Sequence, residues 1–150
     1  MVAPGPTGDP ITLTPPAIET VVEAVVYAPD PAAAEGFYAG VLGLPVVGRE
    51  AGRQVFFRAG PASMLLVFDP AATRKGGTFP PHGATGPGHV ALGVRPEALD
   101  DWRRHLAAHR VGIEREYTWP RGGRSLYFRD PAGNLVELVT PGVWGTPAGW

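Results

Sequence analysis

Residues 20–27 read TVVEAVVY, β-branched and apolar except for Glu23, and Pro29-Asp30-Pro31 ends the run. That pattern predicts a mostly buried strand with one anomalous carboxylate in it. Asp30 then stands where a helix cap belongs and Pro31 fits the first helical turn. Phe37, Val41 and Leu42 mark the apolar face of a helix that Gly43 and Pro45 stop. Strand-like runs follow over 44–48, 53–58 and 63–68. A loop rich in Gly, Pro and Thr occupies 69–88. The order then repeats: a strand opening at His89, a helix with Leu99, Trp102 and Leu106 on one face that ends near Gly112, and strands over 112–117, 125–129 and 135–139.

The repeat holds in the offsets. Glu23 and His89 open equivalent strands 66 residues apart, whereas Val55-Phe-Phe-Arg and Leu126-Tyr-Phe-Arg lie 71 apart, as do Leu66 and Glu137. A short insertion in the second half accounts for the difference. Strand, helix and three strands, twice over, predict an α+β fold of two tandem βαβββ modules. Their strands are expected to make one curved, mixed, mostly antiparallel sheet around a cleft. The expected layout is a mobile Pro/Gly-rich arm over 1–17, a first module over 18–75, a linker loop over 76–88, a second module over 89–141 and a C-terminal tail over 142–150.

Composition narrows what the cleft can do. With 44% hydrophobic and 18% charged residues the chain can build a core. The net charge of −1 comes from interspersed residues, so no basic stripe exists for a nucleic-acid backbone. No apolar run is long enough to span a membrane and no secretory leader opens the chain, so the expected location is cytoplasmic. There is no cysteine, which removes disulfides, thiolate metal sites and cysteine nucleophiles. Any metal must be held by histidines and carboxylates.

The equivalent strands place Glu23 and His89 on the opening strands and Leu66 and Glu137 on the closing ones. A carboxylate in an apolar strand is costly to bury without an opposing charge. Two such carboxylates and a histidine make a divalent cation the economical explanation, and this donor set suits Zn, Mn, Ni or Fe. An ion pair of Glu23 with Arg124 is the structural alternative. His82, in the 76–88 loop, reads either as a solvated histidine or as an acid/base group over the cleft. Trp119, Arg121 and Arg124 read either as a surface turn or as a lid that stacks on or neutralises substrate. Phe56, Trp119 and Tyr127 are available to line an aromatic groove.

The segment from Tyr27 through Leu44, Gly86-Pro-Gly-His-Val-Ala-Leu, and Ser125-Leu-Tyr-Phe-Arg-Asp-Pro-Ala-Gly-Asn-Leu-Val-Glu-Leu together resemble the vicinal-oxygen-chelate superfamily. That superfamily includes glyoxalase I, fosfomycin-resistance thiol transferases, bleomycin-binding proteins and extradiol dioxygenases. The resemblance covers about residues 18–141. It implies metal ligands at Glu23, His89 and Glu137, with Leu66 at the position of the fourth ligand of glyoxalase I. It also implies that Ser125 and Tyr127 contact substrate, and that the chain forms a homodimer.

The expected function is a divalent-metal-dependent enzyme that chelates a small oxygenated substrate, with Glu137 and Tyr127 in catalysis and Ser125, Tyr127, His82, Phe56, Trp119 and Arg124 around the substrate. Lyase, isomerase or thiol-transferase chemistry stands ahead of dioxygenase chemistry. A non-catalytic sequestering protein of the bleomycin-resistance type is the alternative, and a degenerate dimerisation scaffold is a third.

Overall fold

The computed structural model describes residues 15–150, so the arm expected over 1–17 lies outside the described residues except for 15–17. The first module contains β1 (Glu23–Tyr27), α1 (Pro31–Glu35), β2 (Val46–Glu50), β3 (Gln54–Arg58) and β4 (Met64–Phe68). The second contains β5 (His89–Gly93), α3 (Leu99–Ala108), β6 (Arg115–Thr118), β7 (Arg124–Arg129) and β8 (Leu135–Val139). Between them the stretch expected to be loop throughout carries a short helix, α2 (Pro70–Arg74), because Asp69 caps the backbone N–H of Ala71 and Pro70 fits the first turn. The first helix starts as read from sequence: the Asp30 carboxylate accepts from the N–H groups of Ala32 and Ala33. Beyond Glu35 it widens into a π-helical stretch over Gly36–Val41, where the consecutive rings of Phe37 and Tyr38 are both buried.

Each module makes its own four-stranded mixed sheet, in the order β1-β4-β3-β2 and β5-β8-β7-β6. The opening strand of each pairs in parallel with the closing one, and the remaining pairs are antiparallel. This confirms the α+β tandem fold. The single curved sheet expected from the repeat is instead two sheets, whose edge strands β1 and β5 touch without sharing a hydrogen-bonded ladder.

Alternation along the strands decides what each sheet face does. Leu126 and Phe128 on β7, Val136 and Leu138 on β8, and Phe57 and Val67 in the first module join the helical residues Phe37, Tyr38, Leu99 and Leu106 in one core. Phe37 of the first module lies 6.2 Å from Phe128 of the second, ring to ring. The helix-covered faces of both sheets thus merge, and the opposite faces, carrying Glu23, His89 and Glu137, look outward. The tail folds back so that the Trp150 ring lies against Gly93, leaving no room for a Cβ there.

A buried polar cluster ties the modules together. The β7–β8 hairpin turns through Asp130-Pro-Ala-Gly-Asn134, with Gly133 at φ 86°, the left-handed residue such a turn requires. Asp130 accepts from the N–H groups of Ala132 and Asn134, from the Asn134 amide and from the Tyr38 hydroxyl at 3.0 Å. Asn134 also donates to the Tyr27 carbonyl at 3.0 Å and accepts from the Gly88 N–H at 2.7 Å. Burial, and then the Asp130 carboxylate, push the Tyr38 phenol far above the usual tyrosine range.

Two outcomes follow from this cluster. Tyr38→Phe leaves a buried carboxylate short of a donor, and urea unfolding should show a loss of about 1–3 kcal/mol; an unchanged midpoint would contradict the assignment. Because the folded state holds the Tyr38 proton more tightly than the unfolded chain, its contribution is complete below the ordinary phenol range near 10 and fades as pH rises above it. In an alkaline titration of the four tyrosines, Tyr38 should ionise only as the protein unfolds; reversible ionisation of all four in the folded state would refute this.

Candidate functional site

On the outward face of the second sheet the register sets a row: Arg115 on β6 faces Tyr127 on β7, Tyr127 faces Glu137 on β8, and Glu137 faces Ala91 on β5. A neighbouring row runs Tyr117, Ser125, Val139 and Gly93. His89 opens β5 on the same face, and its Nε2 lies 3.3 Å from Glu137 Oε2. Glu137 is only 6% exposed. Its other oxygen, Oε1, accepts from the Ser125 hydroxyl at 2.5 Å, and Ser125 Oγ accepts in turn from the Trp119 indole N–H at 2.8 Å. The Tyr127 phenol is pushed above its ordinary range, first by burial and then by the neighbouring Glu137 carboxylate.

The donor set can be tested for a cation from its hydrogen bonds. His89 Nδ1 lies 3.1 Å from the Leu135 carbonyl, which can only accept, so Nδ1 carries the proton. In the neutral ring Nε2 is then a bare lone pair facing a carboxylate oxygen. Two acceptors held that close need a proton or a metal ion between them, and a carbonyl-anchored imidazole opposite a hydrogen-bonded carboxylate is how metal ligands are oriented. His89 and Glu137 therefore fit a divalent ion, and with oxygen and nitrogen donors alone they suit the borderline metals expected from the sequence.

Glu23 does not join them within the chain. Among the described residues no three His, Asp or Glu side chains come together in a group able to hold a metal. Glu23 lies instead at the outward face of the first sheet, in a cleft of about 730 Å³ that also holds Phe56, Leu66, Phe68 and His82. There the Tyr27 hydroxyl and His82 Nδ1 are 2.7 Å apart, and the His82 ring meets Phe68 edge to face at 4.9 Å. Leu66, buried at 8% exposure, takes the position on β4 that Glu137 takes on β8.

The predicted residues thus fall into two groups: His89, Glu137, Ser125, Tyr127 and Trp119 on the second sheet, and Glu23, Phe56 and His82 on the first. Arg124 belongs to neither. It alternates with Ser125, so it shares the opposite face of β7 with Leu126 and lies near Glu116, whose carboxyl is held below its usual range chiefly by Arg103 and partly by Arg124. Its expected contact with substrate, and the alternative ion pair with Glu23, are both corrected by that geometry. Sequence reasoning missed Arg115, Tyr117 and Arg129, which with Glu114, Trp119, Tyr127 and Leu135 line a cleft of about 520 Å³. Period-two alternation along β6 could have found Arg115 and Tyr117.

With this geometry in view, the chain can be placed among known proteins. The profile of the Glyoxalase/Bleomycin resistance protein/Dioxygenase superfamily matches residues 20–138. A lactoylglutathione lyase from Agrobacterium tumefaciens is 40% identical, with a TM-score of 0.80 over 87% of this chain and 98% of that one. An integron cassette protein from the mobile metagenome of V. cholerae is 25% identical, with a TM-score of 0.65 over 85% of this chain and 98% of that one. A glyoxalase/bleomycin resistance protein/dioxygenase from Nocardioides, 23% identical with a TM-score of 0.66 over 93% and 92% of the two chains, shares the fold. No curated protein matches this chain closely enough to count. The chain belongs to the Glyoxalase/Bleomycin resistance protein/Dioxygenase superfamily. Among the described residues no helix is long and apolar enough to cross a membrane.

Proposed function

We propose that this protein is a divalent-metal-dependent enzyme of the lyase or isomerase type that acts on a small oxygenated substrate. The observation that carries the reading is the His89 Nε2 lone pair facing Glu137 Oε2 at 3.3 Å, with the other end of each group already hydrogen-bonded. The 40% identity to the lactoylglutathione lyase of Agrobacterium tumefaciens supports lyase chemistry ahead of thiol transfer. Leu66 in place of a fourth ligand leaves room for substrate oxygens. A bound ion would supply Lewis acidity to those oxygens. His89 and Glu137 would hold it, Ser125 fixes the Glu137 carboxylate through Oε1, Tyr127 orients the substrate, and Glu137 Oε2 would take a proton once it leaves the ion.

Glu23 enters this site from a second copy of the chain. It lies at the outward face of the first sheet, and among the described residues no third His, Asp or Glu side chain joins the His89–Glu137 pair. A homodimer that apposes the first sheet of one copy with the second sheet of the other completes both sites symmetrically. A sequestering role is the second reading, favoured by the aromatic wall of Tyr117, Trp119 and Tyr127 beside the pair.

Metal titration separates these readings. Glu137→Gln should lose metal affinity by more than the about 10–100-fold that removing an outer hydrogen bond costs, and Ser125→Ala should fall within that range. Ligand binding that survives Glu137→Gln with unchanged affinity would favour sequestration. Mixing Glu23→Gln chains with His89→Ala chains, each unable to bind metal alone, should restore about a quarter of the wild-type sites by statistical exchange of subunits. No restoration after exchange would exclude sharing of the site between copies.

A further inference from the structure

The cleft beside the His89–Glu137 pair contains two guanidinium groups in different states. Arg129 Nε lies 3.0 Å from Glu114 Oε1 and a second nitrogen donates to the Gly133 carbonyl, so its charge is spent inside the protein. Arg115 also lines the cleft but makes no hydrogen bond or ion pair among the described residues. The next carboxylate along β6, Glu116, faces the other way and is held by Arg103 at 2.6 Å. One cation without a partner among the described residues therefore remains in a cleft whose other walls are the paired Glu114 and Arg129 and the side chains of Tyr117, Trp119, Tyr127 and Leu135.

The register then gives the cleft a direction. Arg115, Tyr127 and Glu137 stand in one row on three successive strands. Two inter-strand steps of about 4.8 Å put the Arg115 and Glu137 backbones roughly 10 Å apart, with the Tyr127 ring between them. A ligand lying along this row meets a cation at one end, an aromatic floor in the middle and the His89–Glu137 pair at the other.

We propose that the substrate is a small organic carboxylate with a flat, apolar body. Its carboxylate is held by Arg115, its body lies over Tyr127 beside the Tyr117 and Trp119 rings, which pack edge to face against each other, and its reacting oxygens reach the His89–Glu137 end. Arg115 is thus the specificity-determining residue of the site. A guanidinium takes a carboxylate through two parallel hydrogen bonds, which fixes orientation as well as charge. This selectivity rests on the reading of the site given under Proposed function for its reacting end, but the anion end depends only on the cleft.

The test is calorimetric titration of the wild-type protein with 3-phenylpropanoate and with its neutral isostere 3-phenylpropanamide, with and without EDTA treatment. Wild type should bind the carboxylate at least about tenfold tighter than the amide, a single charged hydrogen bond's worth. Arg115→Gln should erase that preference while leaving the amide affinity unchanged, and Arg115→Lys should keep part of it. The preference should survive EDTA, which distinguishes a failure of the metal reading from a failure of this one. No binding of the carboxylate to wild type, no preference over the amide, or a preference undiminished in folded Arg115→Gln would overturn the proposal.

Discussion

The structure depends on how the Asp130 carboxylate is satisfied beneath the β7–β8 turn. A buried charge is tolerated only when its lone pairs are used, and here the donors come from three places: the turn's own backbone, the Asn134 amide and the Tyr38 hydroxyl of the first module. Asn134 extends the same network to the Tyr27 carbonyl at the end of β1 and to the Gly88 N–H immediately before His89. One five-residue turn therefore sets the approach of the two modules and the entry of the strand that carries the His89 imidazole. It also starts β8, two residues before Glu137 comes to face Tyr127. The geometry of the candidate centre is a consequence of this packing.

The merging of the two helix-covered faces into a single core has a functional cost and a functional use. It leaves the opposite faces of the two sheets outward, and these two faces carry unlike side chains. One keeps a carboxylate on its closing strand and an imidazole on its opening strand; the other has Leu66 and Glu23 at those positions. Equivalent positions of the two modules thus carry different chemistry, Leu66 on β4 and Glu137 on β8.

Much of the fold was legible in the sequence because the repeat registers at several independent points. The Val55-Phe-Phe-Arg and Leu126-Tyr-Phe-Arg runs share an offset with Leu66 and Glu137, and the Asp30 cap was readable from residue type alone. The widening of the first helix after Glu35 was not, since nothing in Gly36–Val41 distinguishes a π-helical stretch from an α-helical one by spacing. At the site, the repeat and the family resemblance singled out His89, Glu137, Ser125 and Tyr127, and the strand register puts all four on one sheet face. Alternation also excludes Arg124 from the face of Ser125, an inference open to the sequence reading but not drawn. That Glu23 stands apart was not legible: equivalence by repeat says which residues correspond, not whether corresponding residues meet in the same chain.

The central question is whether a metal ion lies between His89 and Glu137 with Glu23 of a second copy beside it. Crystals grown without chelators and measured on either side of candidate metal absorption edges decide this. The expected result is one anomalous peak per chain between His89 Nε2 and Glu137 Oε2, with the partner's Glu23 as the remaining protein ligand. A peak absent from that position after soaking in Zn, Mn, Ni and Fe salts, or an ion held with Glu23 of the same chain, would contradict it.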